Sequence, residues 1–303
     1  MTLNKEALML FENNQYDEAL HLFEEAVKVE RTVQSLNNLA WIYLYEEEDL
    51  YRAKMNLEEV MEKKPKSHFP YNMLGEIAIK ERRWIEAKEI LMKSLALFPS
   101  TEAIHNLAVA HYYVGDFQKA AEAFNKIAKD ADVIRWYEVM ARIQSKDVPT
   151  AKSILNRWND QSDDYIGAIE AADAYLEMEC FEEARFMFEK EWDQYMVSPY
   201  IIGRYAYTLF QLGDLHTCLE IINKAIEVKK TEIIEEQQEP CDEHWTVTDK
   251  TERVAELQLE KIELDQLFVK IQSGFRPPLD FELEATGGCY LFGCQQHQHL
   301  EYI

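Results

Sequence analysis

The feature that most constrains this 303-residue chain is a small residue that returns at nearly constant intervals: Ala19, Ala53, Ala87, Ala120, Ala151, Ala184 and Cys218. By subtraction, the successive spacings run 34, 34, 33, 31, 33 and 34. Three positions before each stands a large apolar residue, namely Tyr16, Leu50, Trp84, Phe117, Val148, Phe181 and Leu215. Four positions after each stands another: Phe23, Leu57, Leu91, Phe124, Leu155, Phe188 and Ile222. A period in this range means a stacked array of like supersecondary units, and such a chain has few other ways to bury its apolar residues.

Residues three and four apart share a helix face, so each apolar–small–apolar set predicts one stripe of a helix, and the small residue lets a partner helix approach closely. A preceding helix carries its own small residue, at Ala7, Ala40, Gly75, Ala108, Ala172 and Ala206. Gly115 and Gly213 fall between the two helices of their units, where a left-handed C-cap is wanted. Pro65 and Pro99 fall where a second helix should stop.

A helix–turn–helix unit with this period and these positions resembles the tetratricopeptide repeat. The resemblance is cleanest over 68–134, in NMLGEIAIKERRWIEAKEILMKSLALFP and HNLAVAHYYVGDFQKAAEAFNKIA. It implies an all-α, right-handed α-solenoid over residues 1–230, with about seven units near 1–33, 34–67, 68–101, 102–134, 135–160, 165–198 and 199–230. Two units depart from the pattern. The second has one extra turn residue (YLYEEEDLYRA), and the fifth (RWYEVMARIQSKDVPTAKSILNRW) is short, with Pro149 two residues before Ala151. A shortened unit changes the stacking angle, so a kink is expected near 135–160, followed by a polar turn at 160–164.

From Thr231 onward the chain is different. Here five Lys/Arg face sixteen Asp/Glu, nearly half of the chain's formal charge of −24. Residues 231–272 read as an acidic linker, broken at Pro240, and a capping helix that begins at Asp249 or Thr251 and ends near Ile271; the helix has the wet outer face that a repeat array needs at its end. In 273–303, a Gly/Cys/His-containing segment, LDFELEAT and CYLFGCQQHQHLEYI contain alternating or apolar runs able to form one or two short strands. The charge balance excludes nucleic acid and anionic membrane surfaces as partners. Five scattered cysteines do not make a disulfide framework, which points to a reducing, cytoplasmic setting.

The resemblance also places binding. In this family the first helix of each unit lines a concave groove that receives an extended peptide or a partner helix. The implied inward residues are Asn37, Asn38, Trp41 and Tyr45; Asn72 and Glu76; His105, Asn106, Val109 and Tyr112; and, in the last unit, Gly203, Tyr207 and Phe210. An asparagine amide both donates and accepts, so a file of them can pair with a main chain whatever its sequence, while aromatic neighbours form anchor pockets. The competing reading has Asn37, Asn72 and Asn106 satisfying groups between helices. The subtype that clamps a C-terminal carboxylate is disfavoured, since Asn4, Asn37, Asn72 and His105 stand where it presents lysines.

Other chemistry is thin. Cys289, Cys294, His297 and His299 form C-x4-C-x2-H-x-H, with Cys241 and His244 upstream; four such ligands can close a zinc tetrahedron, but the spacing matches no common finger, and the competing reading is two half-buried thiols beside a His-rich tail. No G-x-S-x-G, H-E-x-x-H, G-x-G-x-x-G or Walker A motif occurs, and the carboxylate runs read as solvated faces. The expectation is therefore a non-enzymatic interaction module without a cofactor, taking a protein or peptide that is basic or extended through the groove and the acidic surface. Rival readings are an immunity- or antitoxin-like inhibitor of a basic toxin, a cytoplasmic receptor for a signalling peptide, and a zinc- or thiol-dependent activity at the C-terminus. The acidic, partly extended C-terminal segment could also fold back into the groove as a plug.

Overall fold

The computed structural model describes residues 2–129, 131–158, 166–195 and 198–302; the polar string at 160–164 lies outside them. The described residues form fifteen α-helices and no strand. They divide into two compact units, one of residues 1–145 with 282–303 and the other of residues 146–281.

In the first unit, α1 (Leu3–Glu12) pairs with α2 (Tyr16–Val29), α3 (Val33–Tyr45) with α4 (Leu50–Glu62), α5 (Phe69–Lys80) with α6 (Trp84–Leu97), and α7 (Thr101–Tyr113) with α8 (Phe117–Ala128). Helix α9 (Asp132–Gln144) packs on α8. The first helices touch one another in the order α1, α3, α5, α7 and so build one continuous face. The second unit holds α10 (Val148–Leu155), the pair α11 (Ala168–Glu177) and α12 (Phe181–Tyr195), the pair α13 (Pro199–Gln211) and α14 (Leu215–Gln238), and α15 (Val247–Gln272), which packs on α13 and α14. The stretch 275–291, near the end of the chain, has no regular secondary structure.

Six of the helices start on a side-chain cap. Thr2, Thr32, Asp49, Ser100, Asp214 and Thr246 accept a hydrogen bond from a first-turn amide of the helix that follows, which satisfies a donor without an intrahelical partner. The cap of α15 is Thr246, not Asp249 or Thr251. Asp249 sits three residues later and accepts from the Thr246 amide, completing a capping box. Pro149 lies in the first turn of α10, where no ladder bond is lost.

The recurring small residues are all buried where paired helices cross, and the apolar residues four positions later are buried with them. The apolar residues three positions earlier behave differently. All seven are the first residue of a second helix, where no preceding turn shields them, and Tyr16 and Leu215 are exposed.

The turn inside each repeat has a fixed backbone. Two residues before the second helix the chain enters the left-handed region in all seven units, at Asn14, Glu48, Arg82, Gly115, Lys146, Glu179 and Gly213. Only two of these are glycine, although a side chain costs about 1–2 kcal/mol in that conformation. Glu179 is exposed at φ 58°. Glu179→Gly should therefore stabilise the second unit by about 1 kcal/mol after the entropy that glycine gives the unfolded chain is subtracted, a rise of about 2–3 °C in a thermal scan. An unchanged or lower Tm would mean that the turn carries no strain.

Candidate functional site

The face built by α1, α3, α5 and α7 is filled by the chain's own C-terminus. Residues 282–302 cross it as a segment without a strand partner, running from α7 back toward α1. The carbonyls of five alternate residues meet groove side chains. His105 Nε2 lies 3.0 Å from the Glu284 oxygen, and Asn106 Nδ2 donates to Thr286 O at 2.8 Å. Trp41 Nε1 donates to Gly288 O at 2.9 Å, Asn37 Nδ2 to Tyr290 O at 2.7 Å, and Asn38 Nδ2 to Phe292 O at 3.0 Å.

Two asparagines pair in both directions. Asn106 Oδ1 accepts from the Thr286 amide at 2.8 Å, and Asn38 Oδ1 from the Phe292 amide at 2.9 Å. This is the use of an amide that the sequence suggested, a donor and an acceptor offered to one residue of a main chain. It also explains why no strand forms, because the tail's polar groups are taken by helix side chains.

Asn72 shares its repeat register with Asn38 and Asn106, yet it does other work. Its Nδ2 donates to Ser100 Oγ at 3.1 Å, and its Oδ1 accepts from Ser94 Oγ, so this amide ties helices together. Tyr45 donates its hydroxyl to Glu76, which also pairs with Lys80 at 3.2 Å. Burial, followed by the Glu76 carboxylate, pushes the Tyr45 phenol far above its ordinary range and keeps it a neutral donor. The Tyr45 ring lies against the tail's main chain at Gly287, where an added Cβ would stand 2.5 Å from Cε1; only glycine fits there.

Val109 is buried in the core, and Tyr112 packs edge-on against Phe117 and Tyr113. Its neighbour Tyr113 also reaches the tail. Its hydroxyl accepts from the Leu283 amide at 2.9 Å and donates to the Leu283 carbonyl at 3.4 Å. The repeat register carried this information, since Tyr113 lies two repeat steps beyond Tyr45. Gly203, Tyr207 and Phe210 belong to the second unit. There Gly203 faces Pro277, and Phe210 packs on Phe268 of α15.

Several residues of this site went unmarked by the motif reading. Gln34 Oε1 accepts from the Tyr302 amide at 3.0 Å, Glu12 Oε1 accepts from the Gln295 amide at 3.0 Å, and Arg82 pairs with Glu282 at 3.0 Å. Phe69 packs at a tilt against the rings of Tyr290, Phe292 and His299. Leu283, Tyr290, Leu291, Phe292 and Cys294 are buried, the last four within the first unit's hydrophobic core. Each large apolar side chain among them contributes about 1.5–3 kcal/mol to keeping the tail in place.

Burial holds His105 and His68 below the ordinary imidazole range, opposed at His105 by the Glu284 carbonyl and at His68 by Glu102. A histidine whose folded pKa is depressed stabilises the docked state above its unfolded pKa. That stabilisation is lost as pH falls from the ordinary value toward the depressed one. Hydrogen exchange of the tail amides, corrected for intrinsic rates, should therefore show weaker protection at pH 5.5 than at 7.5, with a smaller difference in His105→Asn. Equal protection at both pH values would contradict this.

Comparison with known proteins agrees with the architecture. A tetratricopeptide-repeat family profile matches residues 1–33. The TPR repeat-containing protein MJ1428 of Methanocaldococcus jannaschii is 26% identical over 261 residues, covering 73% of this chain and 43% of the relative. The chain thus spans less than half of that relative's length. A tetratricopeptide repeat protein from Parabacteroides merdae overlays with a TM-score of 0.54 at 16% identity, over 80% of this chain and 93% of that one. YrrB, described as a TPR protein with an unusual peptide-binding site, overlays with a TM-score of 0.45 at 17% identity, over 58% and 88%. No described helix is long and apolar enough to cross a membrane.

Proposed function

We propose that this chain, whose architecture resembles the tetratricopeptide repeat, is a non-enzymatic interaction module whose first-unit groove binds an extended peptide and is plugged by its own C-terminal residues 282–302. One observation carries the reading: groove side chains engage five alternate main-chain carbonyls, from 284 to 292. Main-chain pairing supplies affinity whatever the sequence, and pockets for side chains such as Tyr290 and Phe292 supply selectivity. The plug contains Glu282, Glu284 and Glu301 and no Lys or Arg, so the partner this groove suits is extended and apolar-anchored rather than basic. A tethered segment holds an effective concentration on the order of millimolar, and a partner in solution must outcompete it.

The test uses the full-length protein and a fluorescent peptide of residues 282–302. Wild type should bind the peptide weakly, because its groove is filled. Gly287→Val, whose side chain has no room beside Tyr45, should loosen the resident tail and bind the wild-type peptide at least tenfold more tightly, a difference of about 1.4 kcal/mol. A folded Gly287→Val protein that binds no better than wild type would sink the reading.

A further inference from the structure

The C-terminal segment brings together a set of side chains that peptide binding does not use. Cys289 Sγ, Cys294 Sγ and a ring nitrogen of His297 all lie within 4.8 Å of one another. Cys294 Sγ is 3.4 Å from His297 Nδ1. The neighbouring His299 places its Nδ1 3.9 Å from Cys289 Sγ and 3.1 Å from the Leu291 carbonyl. With Zn–S near 2.3 Å and Zn–N near 2.0 Å, the ligand atoms of a tetrahedral zinc site stand about 3.5–3.8 Å apart; the Cys294–His297 pair is already at that spacing, and the remaining pairs lie within 4.8 Å.

The turn that gathers them is made by the segment itself. The His299 amide donates to Cys294 O at 2.9 Å, Gln298 to Gln295 O at 3.1 Å, and Gly293 to Leu300 O at 3.1 Å. Gly293 and Gln298 take positive φ to close it. Cys241 and His244, the other Cys–His pair in the sequence, are exposed between α14 and α15 and take no part.

We propose that Cys289, Cys294 and His297 form a Zn²⁺ site, with two thiolates and a neutral imidazole as ligands. On binding, the two thiols release two protons to solvent, His297 coordinates through Nδ1, and the fourth position is left to water. His299, held by the Leu291 carbonyl, packs its ring on that of His297 at 5.7 Å and orients it. The site spans Tyr290, Leu291 and Phe292, so a bound metal would rigidify the stretch whose carbonyls Asn37 and Asn38 hold. That consequence rests on the plugged-groove reading, whereas the metal site itself does not.

The test takes the full-length protein, fully reduced, loaded with Zn²⁺ and passed through gel filtration. Metal content should be about one zinc per chain, and Co²⁺ in its place should give a thiolate-to-cobalt charge-transfer band. Cys289→Ser, Cys294→Ser and His297→Ala should each weaken binding by more than about 100-fold, while Cys241→Ser changes nothing. Cys294 is buried and its substitution risks unfolding the tail, so alkylation of wild type supplies a second measurement. Zinc should protect Cys289 and Cys294 but not the exposed Cys241. Less than about 0.1 zinc per wild-type chain, or alkylation that zinc does not slow, overturns the proposal. Zinc bound without any change in tail hydrogen exchange would retain the site and remove only its link to the plug.

Discussion

In the double variant Asn38→Ala with Asn106→Ala, the C-terminal tail should leave the groove. Both amides are fully buried, and each holds the N–H and the C=O of one tail residue. Removing one strands a buried donor and a buried acceptor, at about 1–3 kcal/mol for each unsatisfied group. The two sites are well separated along the tail, at Thr286 and Phe292, and share no partner, so their effects should add to about 4–12 kcal/mol. Protection of the 284–292 amides should fall by a factor of about 10³ or more, and limited proteolysis should cut there first. The control is Asn72→Ala. This amide has the same repeat register but binds Ser94 and Ser100; it also lies beside the Tyr290 phenol yet holds no main-chain group of the tail, so its loss should lower the stability of the helix pairs and release the tail less than the double variant does. If Asn72→Ala and the double variant release the tail equally, the two-way amide pairing is not what holds it.

The second large effect is expected in the other unit, at Arg204. Its side chain is fully buried and pairs with Asp173 and, at 2.9 Å, with Glu177, and it donates to the Pro277 carbonyl at 3.2 Å. Tyr200 donates to the second Asp173 oxygen at 2.6 Å. Arg204→Met removes the cation and leaves Asp173 buried without its counter-charge, which should destabilise the second unit by about 3–5 kcal/mol. Burial already pushes the Asp173 carboxyl up to about 6, against the pull of Arg204 and Tyr200. A carboxyl whose folded pKa is raised stabilises the fold while neutral, below its unfolded pKa, and that stabilisation is lost as pH rises through the folded value. The deficit of Arg204→Met should therefore be smaller at pH 5 than at pH 7.5. Adding Asp173→Leu should recover much of it, because a matched apolar pair replaces a buried ion pair at little cost. Thermal unfolding at the two pH values reads both; a deficit under about 1 kcal/mol, or no recovery in the double variant, would place the stability of α11 and α13 elsewhere.

The sequence alone determined the helix pairs. Their signal is local and repeated: one small residue per unit at a nearly fixed interval, with a large apolar residue three before it and another four after. Contacts of that kind are set within one unit and written again in the next, so seven copies reinforce one reading. That Asn37, Asn38, Trp41, Tyr45, His105 and Asn106 face inward came only from the resemblance to the tetratricopeptide repeat.

What fills the groove was decided by the tertiary structure. Asn38 and Phe292 are 254 residues apart, and nothing periodic links them. The tail's extended form was legible as alternation, but its alternation suits a strand partner and a row of helix side chains equally well. Asn72 and Asn106 look alike in sequence and part ways only because Ser94 and Ser100 stand beside Asn72 in space. The gathering of Cys289, Cys294 and His297 likewise depends on a turn whose closing bonds exist only once the tail has folded. Local periodicity encodes which helices form and which faces they bury; which polar groups meet across distant stretches of the chain is an outcome of packing.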